Sequence, residues 1–190
     1  FLYPAKRLIF YLCITIFNIS FLSPETSQFP SYYFPYIEKV NNVDLNYALL
    51  NSEQKFIEVA NILSEIQSDY RYKAGKWSIR EVLIHINDAE RVFAYRVLRF
   101  ARNDKTELSG FDENKWVPEC NAAVTPLQDI ITEHRHVRQS TVSLFKNLPL
   151  EIGLRRGVVN GKEISVRALG FIICGQALNH LQIINDRYLN

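Results

Sequence analysis

The chain has no methionine anywhere in its 190 residues, including at position 1, and only three cysteines, seven glycines and seven prolines. Three widely separated cysteines, Cys13, Cys120 and Cys174, offer neither a disulfide framework nor a Cys-x-x-Cys redox or zinc pattern, and a reducing, cytoplasmic compartment follows as the expectation. An excess of either charge is also missing. With 22 Lys and Arg against 20 Asp and Glu, the formal charge of +2 gives no reason to expect a nucleic-acid partner or an anionic-membrane surface. The sequence further lacks a Gly-rich phosphate loop, a Gly-x-Ser-x-Gly elbow and a His-Glu-x-x-His pair, so the common nucleotide, serine-hydrolase and zincin sites are excluded.

Long apolar runs are equally scarce. The nearest is Leu8 to Phe17 behind Lys6-Arg7, which has the outline of a signal peptide or anchor. It is short for a bilayer span and no clean small-x-small cleavage site follows, so residues 1 to 19 form a separate apolar extension. Two readings stand for it: a signal that would export the protein, or translated sequence upstream of the true start. Residues 20 to 190 form the single domain that a 47% hydrophobic content can support.

What is present is helical periodicity. After an irregular lead-in rich in Pro, Ser, Tyr and Asn (23 to 43), whose aromatics are expected to pack on the domain, four amphipathic stretches follow. The first is expected from the N-cap Asp44 to Ile66, with Leu45, Leu49, Ser52, Phe56, Val59, Leu63 and Ile66 on one face. The second opens at Ser78, where Ser-Ile-Arg-Glu81 is a capping box, and runs to about Arg102. A third is predicted from Thr125-Pro126, with threonine as cap, to about Leu148, and a fourth from near Ser165. A long connection, 103 to 124, links the second and third, and Asn160-Gly161 predicts a tight hairpin before the fourth. The architecture is therefore an all-α four-helix bundle.

The chemistry-bearing residues lie on these stripes. Gln176 and His180 are one helical turn apart in the fourth helix, and His85 sits on the second, where a facing helix could supply it to the same point. Neutral nitrogen ligands with open positions suit a catalytic divalent metal, whereas an amide oxygen is a weak ligand for zinc or nickel and better tolerated by manganese. The alternative from spacing is a hydrogen-bonded core pair of Gln176 and His180, with His85 at the margin of its stripe. His134 reads as a core histidine and His136 as solvated. Arg96, Arg99 and Arg102 share one side of the second helix and, with Arg155 and Arg156, either hold an anion or form a solvated face paired to groups such as Asp104 or Glu107. Asp112 and Glu113 are either loop caps or an acid and base if the long loop covers the bundle mouth. Cys174, in apolar company, reads as an inert thiol.

The stretches Gly75-Lys-Trp-Ser-Ile-Arg-Glu-Val-Leu-Ile-His85, Asp88 to Arg96, Gly110-Phe-Asp-Glu-Asn114, Val166-Arg-Ala-Leu169 and His180 to Leu189 resemble the DinB-like superfamily of bacterial four-helix bundles over roughly residues 20 to 190. The resemblance leaves residues 1 to 19 out, which favours upstream translation for that extension. It implies a DinB-like bundle related to YfiT-like metal-dependent hydrolases and bacillithiol or other thiol transferases, a stress-associated, homodimeric protein acting on a small molecule. It also implies a divalent metal held by one histidine of the second helix and a His-x-x-x-His pair of the fourth. The first position falls on His85 and the last on His180; the middle falls on Gln176. The family pattern Gly-His-Glu-Leu-His-His reads Gly175-Gln-Ala-Leu-Asn-His180, so the resemblance implies a weakened metal site and leaves the catalytic residues unassigned. A non-catalytic bundle that binds a small molecule or partner is the alternative.

Overall fold

A computed structural model of the chain describes residues 21 to 189; the apolar extension and Cys13 lie outside the described residues. Four long helices, α1 (Leu45–Asn61), α2 (Ile79–Ala101), α3 (Leu127–Lys146) and α4 (Val166–Tyr188), form the bundle, and strands β1 (Arg156–Val159) and β2 (Lys162–Ser165) make a hairpin before α4.

Local chemistry explains most boundaries. Asp44 accepts the Tyr47 backbone N–H to start α1, and Ser78 and Glu81 satisfy each other's backbone N–H groups in a complete capping box at the start of α2. Ser165 caps α4 by accepting the Ala168 N–H. Asn160 and Gly161 both take positive φ (46° and 71°), the left-handed pair that a two-residue hairpin turn demands, and Val159 pairs with Lys162 across it.

Two boundaries differ from the sequence expectation. The first helix stops at Asn61 rather than reaching Ile66, because Ser64 and Gln67 build a second capping box that restarts the chain as the one-turn helix Glu65–Ser68. Ile66 consequently faces solvent while Leu63 stays buried. The third helix is not capped by Thr125, whose hydroxyl donates to the Asn121 carbonyl. It starts after Pro126, and its first N–H, that of Leu127, donates to the Glu65 carboxylate from across the bundle (2.9 Å).

α4 is the central element, packed by α2, α1 and the lead-in, and it is buried on nearly every side from Val166 to Ala177 rather than along one stripe. Its own Phe171 and Phe56, Phe100 and Phe145 of the other long helices are fully buried, each side chain contributing about 2 to 3 kcal/mol of transfer free energy. Below this apolar core, Arg138 and Glu90 form a wholly buried ion pair (2.8 Å), and Arg138 also donates to Ser52 Oγ and the Leu49 carbonyl.

The lead-in is more regular than its composition suggests, since Pro35 at a first-turn position lets the helix Phe34–Glu38 form. Phe29 is buried and Tyr33 and Tyr36 pack on the core, as expected of its aromatics, whereas Tyr32 and Phe34 remain exposed. The long α2–α3 connection is tied down at both hairpin strands' turn. Leu108 pairs with the edge of β1, donating to the Val158 carbonyl and accepting from the Asn160 N–H, and Glu107 accepts the Gly161 N–H. These ties hold the loop beside α2, where it walls a cavity.

Candidate functional site

α2 presents His85, Ala89, Phe93 and Arg96 along one face, at the i, i+4, i+8, i+11 spacing that keeps side chains in line over three turns. α4 faces them with Gln176 and His180. Between the two helices lies a cavity of about 390 Å³, lined also by Tyr32, Tyr33 and Tyr36 of the lead-in and by Gly110, Phe111 and Glu113 of the long loop. Trp77, just before the α2 capping box, and the hairpin residues Val159 and Asn160 complete the wall. The small side chain of Ala89 leaves the room between His85 and Phe93.

The three residues singled out as a ligand set do converge. The side-chain Nε2 of Gln176 lies 3.1 Å from His85 Nε2, and the His85 and His180 rings meet edge to face with centroids 4.8 Å apart. Trp77 covers the other side of His85 at 5.0 Å. His85 is buried, not marginal to its stripe, because Trp77, His180 and Gln176 pack on its ring. Burial pushes the His85 imidazole down to about 4, and burial followed by repulsion from His85 pushes His180 down to about 3, with Glu113 opposing the shift. Both rings are therefore neutral at neutral pH, the state in which imidazole ligates metal.

Whether the set suits a metal turns on the amide. Among the described residues, no group of three His, Cys, Asp or Glu side chains converges as a metal cage. An amide turned about its terminal bond presents oxygen where nitrogen now stands. The 3.1 Å between Gln176 and His85 is a hydrogen bond on the His85 lone pair, so two neutral imidazoles and an amide oxygen, a weaker third donor than imidazole, are a donor set for a divalent ion only once the amide leaves that position. As the side chains stand, the Gln176 N–H donates to His85 Nε2, which makes Nδ1 the protonated nitrogen of His85.

The remaining sequence candidates divide cleanly. His134 is a core residue: its ring stacks on Phe56 at 3.7 Å, and its Nδ1 donates to Asn87 Oδ1 (2.8 Å), since the Asn87 amide nitrogen is committed to Ile130 and Glu133. His136 is exposed. Asp112 caps its own turn by accepting the Asn114 N–H, while Glu113 reaches the cavity. Arg99 pairs with Asp104, Arg155 donates to the Ala101 carbonyl, and Arg102 is solvated. Of the two places the sequence left open to it, Arg96 does not take the solvated face: it is 3% exposed and lines the cavity, because around the helix its position falls between Ala89 and His85. Cys174 is inert, its thiol donating to the Gly170 carbonyl and pushed up to about 11 by burial. That the lead-in tyrosines and Trp77 wall the cavity is not legible in the sequence, since a segment without periodicity carries no signal of what it covers.

A four-helix bundle with a paired-histidine floor beneath an aromatic cavity is thus the class of protein that fold and site define. A family model described as the DinB superfamily matches residues 48 to 184, and the chain belongs to that superfamily. Among solved structures it is similar to YfiT from Bacillus subtilis, described as a probable metal-dependent hydrolase with an unusual four-helix bundle topology. The two share 15% identity at a TM-score of 0.68 over 90% of this chain and 93% of that one, a likeness of fold. A comparison with curated proteins finds no match. No helix among the described residues is long and apolar enough to cross a membrane.

Proposed function

We propose that this protein binds a small molecule in the cavity and holds a divalent ion weakly on His85, His180 and the Gln176 amide oxygen, as a metal-dependent hydrolase or thiol transferase with one ligand replaced. The observation that carries this reading is that Gln176, His85 and His180 meet on the wall of one cavity, Gln176 against His85 Nε2 and the two imidazole rings edge to face. Zinc, nickel and manganese are the candidate ions, manganese tolerating an amide oxygen best. A bound ion would lower the pKa of a water or thiol placed over it.

The chain's own groups supply the rest. Glu113 is the carboxylate of the cavity wall and stands on the His180 side of it, within electrostatic reach, as the group to take the proton released by the nucleophile. Trp77, Tyr36 and Phe111 exclude bulk water and shape the space for an apolar body.

The test is metal binding by the full chain after chelation and dialysis. Each of the three ions is titrated separately, and one of them should be retained at close to one per chain, with His85→Ala and His180→Ala each abolishing retention. Failure of all three ions to bind would remove this reading. A second reading, a ligand-binding bundle without metal, rests on the Gln176 N–H already satisfying the His85 lone pair; a metal-dependent rise in melting temperature that His85→Ala removes counts against it.

A further inference from the structure

Three arginines are buried among the described residues, and two of them carry acids: Arg80 is paired with Glu65 and Asp69 (2.8 and 2.9 Å), and Arg138 with Glu90 (2.8 Å). Arg96 is the exception. Among the described residues no carboxylate lies within ion-pairing distance of it. One of its terminal nitrogens donates to the Ser109 carbonyl (3.1 Å), and its guanidinium lies 5.4 and 5.7 Å from the ring centres of Phe93 and Phe111. Aromatic faces, one carbonyl and the hydroxyl of Tyr33 compensate only part of the cost of taking a cation out of water. Burial accordingly pulls the Arg96 pKa down and the neighbouring Tyr33 hydroxyl's up, keeping the phenol a neutral donor.

We propose that Arg96 is the anion anchor of the cavity and that the ligand is a small carboxylate with an elongated, apolar or aromatic body, its carboxylate on Arg96 and its far end over His85 and His180. This deepens the reading of the cavity as the ligand site. Arg96 and His85 are three turns apart on one helix face, about 16 Å along the axis, so side chains reaching inward from both ends leave the length of a ring with a short chain. The wall between them is aromatic, from Phe93, Tyr33 and Tyr36. A single free cation, with the Glu113 carboxylate on the same cavity, favours one negative charge over the two of a phosphate monoester. A guanidinium with unshared N–H groups is also the donor that matches a carboxylate in two parallel hydrogen bonds.

The experiment compares 4-phenylbutyrate with its uncharged amide on the metal-free full chain, read by the fluorescence of the cavity tryptophan Trp77 and by thermal shift. The acid should bind about tenfold or more tightly than the amide, Arg96→Met should bring the two within about threefold of each other, and Arg96→Lys should keep part of the preference. Equal binding of acid and amide by the unaltered protein, or binding of neither, overturns the proposal without need of any variant. So does an acid preference that survives Arg96→Met. Repeating the comparison with zinc present separates the two readings: a preference seen only with the ion belongs to the metal and overturns the role of Arg96, whereas a preference without any metal binding sustains Arg96 and removes the metal.

Discussion

The amide nitrogen of Gln176 sits 3.1 Å from His85 Nε2, in the place from which a metal ion would draw that nitrogen's lone pair. One N–H donor thus does for His85 what a cation would do in a three-imidazole site: it occupies the lone pair and fixes the ring tautomer. The two states compete, since the ion must displace the hydrogen bond and turn the amide before it gains its third donor.

Gln176→His removes that competition and restores a nitrogen ligand at the middle position. Its affinity for zinc should rise by about ten- to a hundredfold, measured by competition with a chromophoric chelator. Unchanged affinity would mean that His85 and His180 do not share an ion.

Acid should destabilise the metal-free protein well above the carboxylate range. Burial lowers His85 to about 4, His180 to about 3 and His134 to about 2 in the folded chain, against about 6.5 for an unfolded imidazole. Below pH of about 6.5 the unfolded chain therefore binds protons that the folded chain refuses, and stability, full above that pH, falls as the pH drops toward the folded values. Each imidazole adds up to about 1.4 kcal/mol per pH unit to the slope. Urea denaturation at pH 7.5, 6.5 and 5.5 should show the fall between the last two, made shallower by His134→Gln; a flat profile refutes the buried, neutral state of these rings.

How much of this was legible in the sequence follows from how far each determinant reaches along the chain. The Ser78–Glu81 box and the Asn160-Gly161 turn are complete within four residues, and both appear where their residue types place them. The convergence of His85, Gln176 and His180 is what the resemblance implies; spacing alone favours a core pair of Gln176 and His180. Arg138 and Glu90 were missed although both occupy stripe positions, one turn from His134 and one turn from Ile86, because a charged residue on an apolar stripe signals burial only once its partner 48 positions away is known. The end of α1 was misplaced because Ile66 continues the apolar period, while the capping box at Ser64 overrides it.

The buried pair itself yields a test. Arg138→Met strands the Glu90 carboxylate in the core and deprives Ser52 and the Leu49 carbonyl of a donor, which should cost about 3 to 5 kcal/mol in urea denaturation. Adding Glu90→Leu removes the stranded charge and should recover most of that loss. A double variant no more stable than Arg138→Met would show that packing, rather than the unpaired charge, sets the cost.

Gly175 precedes Gln176, and its role is steric. A glycine inside a helix ordinarily weakens it by about 1 kcal/mol relative to alanine, so Gly175→Ala taken alone should stabilise α4. A Cβ there, however, would stand 2.0 Å from the backbone oxygen of Tyr36 and 2.5 Å from its carbonyl carbon, atoms that move only if the helix Phe34–Glu38 moves with them. That helix carries Tyr36 onto the cavity wall, so relieving the clash pushes the wall away from His180 and Gln176. Gly175→Ala should therefore lower stability by about 1 to 3 kcal/mol despite its helix propensity and weaken 4-phenylbutyrate binding in parallel. A rise in stability with unchanged binding would show that the lead-in does not rest on α4 and that the cavity lacks its tyrosine side.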